Sequence, residues 1–225
     1  MKKKLIKLSA IFLTIVGVSA CGSENDKKKS EMEKTPMDEI VLTETKSQPD
    51  ENFYEAIVAY NKGDKIQCAV LIDKGIQFIA KVQDDADDKG KPVLEKQIIK
   101  LSQLSVRLKE NKIKSEDEII MAFENAEKAL AGHAIIVTET LVEMDSTEQA
   151  IKTTHTAGHY LEQAQKIAKK ENKILYQESI DDLKKLGLKT KEDFGKGKKD
   201  VIKDLHKIKD KLLAIDDKME GPVPL

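Results

Sequence analysis

The chain has 225 residues, of which 39 are basic and 40 acidic, for a formal net charge of −1; only 4% are aromatic and there is no Trp. Balanced charge of this kind excludes nucleic acid or another polyanion as the main partner. Two cysteines, Cys21 and Cys68, are too few for a disulfide scaffold or a multi-cysteine metal site.

The first element is a leader. Lys2, Lys3, Lys4 and Lys7 form a positive start, and an apolar run follows from Leu8 to Val18. That run is short for a permanent membrane span and ends in small residues. The ending, Val18-Ser19-Ala20-Cys21-Gly22, resembles the lipobox of bacterial lipoproteins. The resemblance implies that diacylglycerol is joined to Cys21 through a thioether and that residues 1–20 are then removed. It covers residues 1–22 only. Two acyl chains anchor durably where one holds marginally. Gly22 stands where enteric lipoproteins carry the Asp that retains them at the inner membrane. The resemblance therefore implies sorting to the outer membrane, or to the outer face of the membrane in a cell that has only one. The leader takes four lysines and no acid with it, leaving 35 basic against 40 acidic residues, a net charge of −5.

Residues 21–50 are rich in Ser, Glu, Asp and Lys, with Pro36 and Pro49, and only Ile40, Val41 and Leu42 are ready to bury anything. This composition reads as a flexible tether. Residues 51–220 are long enough for one domain with a core of its own. Ala, Leu, Ile, Lys and Glu dominate there and no strand-like alternation persists, which predicts helices throughout.

Stop and start signals divide the body into seven helices. The first covers about 51–62 and ends at Gly63. Asp64 caps a second over 65–83, and the acidic link Asp84–Gly90 leads to a third over 92–111. Ser115-Glu-Asp-Glu118 is a capping box for a long fourth helix reaching Glu143, and Ser146-Thr-Glu-Gln149 opens a fifth reaching Lys170. A sixth covers 174–186, stopped by Gly187. Thr190-Lys-Glu-Asp193 opens the last, reaching Asp217, and residues 221–225 form a fraying tail. Ile119, Phe123, Ala126, Leu130, His133, Val137, Leu141 and Met144 make a seam at three-or-four spacing, the stripe of a helix buried on one face. Val201, Leu205, Ile208, Leu212 and Ile215 repeat it in the last helix. Short links between long amphipathic helices predict an all-α, antiparallel up-and-down bundle.

Within the first two helices, Ala59-Tyr-Asn-Lys-Gly-Asp64 followed by Cys68 and Gly75 resembles a tetratricopeptide hairpin over 51–82. That resemblance implies peptide or protein binding. Stacked arrays need about three repeats or more, and no second copy occurs at a period near 34, so a generic helical hairpin is the alternative reading. Cys68 lies in Ile66-Gln-Cys-Ala-Val-Leu71, the setting of a small core hydrophobe rather than of a reactive thiol. Asp84-Asp-Ala-Asp-Asp88 fits the Asp-Asp-x-x-Asp pattern of isoprenyl diphosphate synthases. Those enzymes pair two such motifs, and Asp216-Asp-Lys-Met-Glu220 is a poor second, so a solvated acidic loop is expected.

Three of the four histidines fall between Ala126 and Gln165, where Ala-Gly-His occurs twice, at 131–133 and at 157–159. A hairpin centred near Asp145 sets residue i opposite about 289 − i, so His133 comes level with the pair His155 and His159, themselves one helical turn apart. A metal or haem site would draw on His155 and His159, completed by Glu162 or His133. Helical angle weighs against it. The apolar face of the fifth helix centres on Leu161, with Ala150, Thr154, Ala157 and Ala164, and at 100° per residue His155 and His159 lie roughly 120° and 160° away. The plainer expectation is that Ala131, Gly132, Ala157 and Gly158 allow two backbones to approach, with His133 in the core. No nucleophile motif, phosphate loop or zinc-protease motif occurs. The sequence therefore predicts a non-enzymatic, lipid-anchored envelope protein that needs no cofactor and binds a protein or peptide partner or serves a structural role. A histidine-based metal or haem carrier is the alternative.

Overall fold

The computed structural model describes residues 49–187 and 197–219. The leader, Cys21, the tether up to residue 48, the Thr190–Asp193 cap and the tail at 221–225 lie outside the described residues. Within them the chain forms helices α1 (Pro49–Asn61), α2 (Lys65–Asp84), α3 (Lys91–Lys109), α4 (Glu116–Glu143), α5 (Thr147–Ile167), α6 (Lys170–Gly187) and α7 (Lys198–Met219), and no strand. Each helix packs on the one before it, and α4 also packs on α1 and α7. The protein is an all-α bundle built on α4. No described helix is long and apolar enough to cross a membrane.

Three of the turns share one device. Gly63, Asn111 and Asp145 have φ of 81°, 59° and 60°, the left-handed conformation that closes a helix. After each, an amide donates back across the helix end: Asp64 to the Ala59 carbonyl, Lys112 to Arg107 and Ser146 to Leu141. Reversal over three to six residues turns the next helix back along the last. At the helix starts, the Asp64 carboxylate accepts from the Gln67 amide at 2.9 Å, as expected. Neither serine caps: Ser115 and Ser146 make no side-chain cap bond. Glu118 does that work for α4. Burial alone would raise its carboxyl, but the Lys114 amide at 3.1 Å and Arg107 at 2.5 Å outweigh burial and hold it below its ordinary range.

The seam expected for α4 is buried except at its end, where Met144 is exposed because it is the C-cap residue beyond the last turn. The one-face description fails in a more informative way. Glu124, Glu127, Lys128, Ala129, Ala134, Ile135 and Thr138 are buried as well, since α4 has neighbours on several sides. The α7 seam, Val201 through Ile215, is buried throughout. Two boundaries shift. The fifth helix stops at Ile167 and the sixth begins at Lys170 instead of 174, while Pro49 and Asp50, assigned to the tether, form the first turn of α1.

Helix α1 docks through Phe53, whose ring stacks on Phe123 of α4 with centroids 4.4 Å apart. Gly75 of α2 makes room for it: a Cβ there would overlap Cε1 of Phe53 and lie 2.9 Å from Cζ. Cys68 is buried beside this hairpin, and burial, reinforced by Asp64, raises its thiol to about 11.

Candidate functional site

The four residues of the expected metal set divide in two. His155, His159 and Glu162 line one open cleft of about 180 Å³ between α5 and α6, with Gly158, Leu183 and Lys184. His133 is not there. It is buried at the junction of α2 and α3, its Nδ1 2.5 Å from where a Cβ on Gly90 would stand. Burial lowers its pKa, partly offset by Asp87, so the neutral ring is favoured there. Asp87 closes the turn that follows, its Oδ1 accepting from the Gly90 amide at 2.8 Å and the Lys89 amide at 3.1 Å. Asp84, Asp85 and Asp88 are exposed, Asp87 is half-buried and only Ala86 of the stretch is buried, so most of the acidic side chains stand in solvent, as expected.

Two of the three residues that share the cleft are engaged elsewhere. His159 Nε2 meets Asp50 Oδ2 at 2.6 Å, and Glu162 is paired with Lys184 at 2.8 Å. The His155 ring lies over Gly187 at the end of α6, 2.9 Å from where a Cβ would be. Among the described residues no group of three or more His, Cys, Asp or Glu is arranged to hold a metal ion. The expected ligand set is thus not assembled.

The glycines of the two Ala-Gly-His copies do not serve close approach. A Cβ on Gly132 or Gly158 would meet nothing within 4 Å, and Gly158 opens on the cleft. Ala131 and Ala157, both fully buried, are the small residues that pack.

A second group of polar side chains, unremarked in the sequence, lies inside the bundle beneath His159. Glu127 of α4 is buried with its carboxyl group beside that of Asp50, and neither of its oxygens meets a hydrogen-bond donor among the described residues. Two carboxyl groups bond only if a proton lies between them. Burial pushes the Glu127 carboxyl well above its ordinary value of 4.5, the Asp50 charge pushes it further, and Lys166 opposes both. The Asp50 bond raises His159 against the effect of partial burial. One turn away, Glu124 is raised by burial although Asn172 of α6 donates to it at 2.9 Å and Tyr176 and Lys128 pull the other way. The Glu127–Asp50–His159 chain runs from the core to the cleft and joins three helices.

No protein-family model matches the chain, nor does any curated protein or any solved structure.

Proposed function

We propose that this chain is a lipid-anchored protein of the bacterial envelope whose helical bundle has no enzymatic role and binds a protein or peptide partner. The observation that carries the anchor is the run from Lys2 through Leu8–Val18 to Ser19-Ala20-Cys21, with charge, apolar length and small residues in the order a lipoprotein leader requires. For the partner, supporting geometry lies between α1 and α2. A shallow groove of about 420 Å³ is lined there by Val58, Ala59, Lys62, Gln67 and Leu71. Tyr54, 68% exposed, stands at its edge, and exposed tyrosines of this kind are enriched where proteins meet.

The anchor is tested by Cys21→Ser. Lipidation precedes cleavage in such proteins, so the variant should accumulate as an uncut precursor; a variant that matures to wild-type size would overturn the reading. The partner is tested by a photocrosslinking residue at position 54 in living cells, with one at Leu213 on α7, 61% exposed, as control. A discrete protein adduct from position 54 alone is expected. Identical adducts from both positions, or none from either, would remove the groove from the account.

A further inference from the structure

We propose that Asp50, His159 and Glu127 form a proton-operated latch that ties the first turn of α1 to α4 and α5. It is closed with one proton on His159 and one between the two carboxyl groups, and it opens when rising pH removes them.

The tie lies at the open end of α1. Asp50 stands in its first turn, three residues before Phe53, the first large apolar side chain by which the helix reaches the core. Its Oδ2 is 2.6 Å from His159 Nε2 on α5, and its carboxyl group lies beside that of the buried Glu127 on α4. The charged groups that face the latch come from every element packed on it. Lys166 and Glu162 of α5 lie near His159, Lys166 also acts on Glu127, and Lys184 of α6 neutralises Glu162 across the cleft. Among the described residues, Gln163 of α5, 3.4 Å away, is the one other side chain within hydrogen-bond reach of His159 Nε2. None of these offers Glu127 a hydrogen bond that would replace the shared proton.

Removing that proton leaves two carboxylates in contact within the bundle, and their repulsion adds to the cost of burying the second charge. Neutralising His159 removes the cation that holds Asp50. Both effects have one sign. Glu127 and His159 are each raised in the folded protein, so what they contribute to docking is whole below their ordinary values of 4.5 and 6.5 and is lost as pH rises through the folded values. The first turn is therefore held most firmly in mild acid and loosens toward alkaline pH.

Hydrogen exchange on the full chain reads this directly, at the amides of Phe53 and Tyr54, which close the first turn. As pH rises above the ordinary values of these groups, the opening constant should rise by up to about tenfold per pH unit for each proton released, after correction for intrinsic exchange. The amides of Leu205 and Ile208 in α7 report global unfolding and should not follow. Glu127→Gln keeps the shape and the bond to Asp50 but cannot ionise; together with His159→Gln it should leave Phe53 and Tyr54 exchange flat with pH. If the double variant loses the α7 protection and so does not fold, Asp50→Asn, which removes the charge His159 faces, should lower the His159 ring titration relative to wild type. Wild-type opening that is flat with pH, an unchanged slope in the double variant, or an unmoved ring titration in Asp50→Asn would each overturn the latch.

Discussion

Glycine-to-alanine substitution distinguishes three glycines that look alike in sequence. Inside a helix, replacing Gly by Ala stabilises by roughly 0.5–1 kcal/mol when the new methyl meets nothing, because the unfolded chain loses freedom. Gly132 and Gly158 satisfy that condition, with no atom within 4 Å of an added Cβ. Gly132→Ala and Gly158→Ala should therefore each gain up to about 1 kcal/mol. Gly75 is also helical, but its methyl would overlap the Phe53 ring, which is buried and stacked on Phe123 and so cannot swing aside. Overpacking of a filled core costs about 1–3 kcal/mol, which offsets the propensity gain and leaves Gly75→Ala destabilised by up to about 2 kcal/mol. Urea unfolding, read at the midpoint with an unchanged slope, measures all three. The Gly75→Ala loss should be non-additive with Phe53→Leu by more than about 0.5 kcal/mol, since the two side chains would contend for one space. A loss at Gly132 and Gly158 would restore the close-approach reading of the Ala-Gly-His copies. A gain at Gly75 would show that Phe53 is not seated where α1 docks.

Three further outcomes follow from separate parts of the molecule. Gly63→Ala should cost about 1 kcal/mol by thermal unfolding, entirely from its φ of 81°, because no atom crowds the position. The Cys68 thiol, raised to about 11, should remain unreactive toward a disulfide reagent at about pH 8 until the protein is unfolded, and prompt labelling of the native protein would contradict its burial. Metal content of the purified protein should be negligible and the same in a His155→Ala/His159→Ala variant, whereas a stoichiometric metal lost in that variant would establish the histidine site.

The fold was readable because its signals are local. Gly63, Asp64, Asn111 and Asp145 mark turns by their own backbone preferences, and the α7 seam declares its buried face by spacing alone. The His155–His159 pair was visible for the same reason, one turn of helix setting both on one side. Their surroundings were not. Asp50 lies 109 residues from His159 and follows a polar stretch, so composition assigned it to the tether. Glu127 adjoins the seam residue Ala126, and a helix buried on one face would have left it in water. Only the packing of α4 against several neighbours takes it inside. His133 was placed level with the pair by hairpin register, which fixes height but not direction, and its ring turns toward Gly90 instead.

Mass spectrometry of the N-terminal peptide from the membrane fraction tests whether Cys21 becomes the lipid-bearing first residue of the finished protein. The expected peptide begins at Cys21 and carries a diacylglyceryl group on sulfur. A peptide that begins elsewhere, or one with a free thiol at position 21, would contradict it.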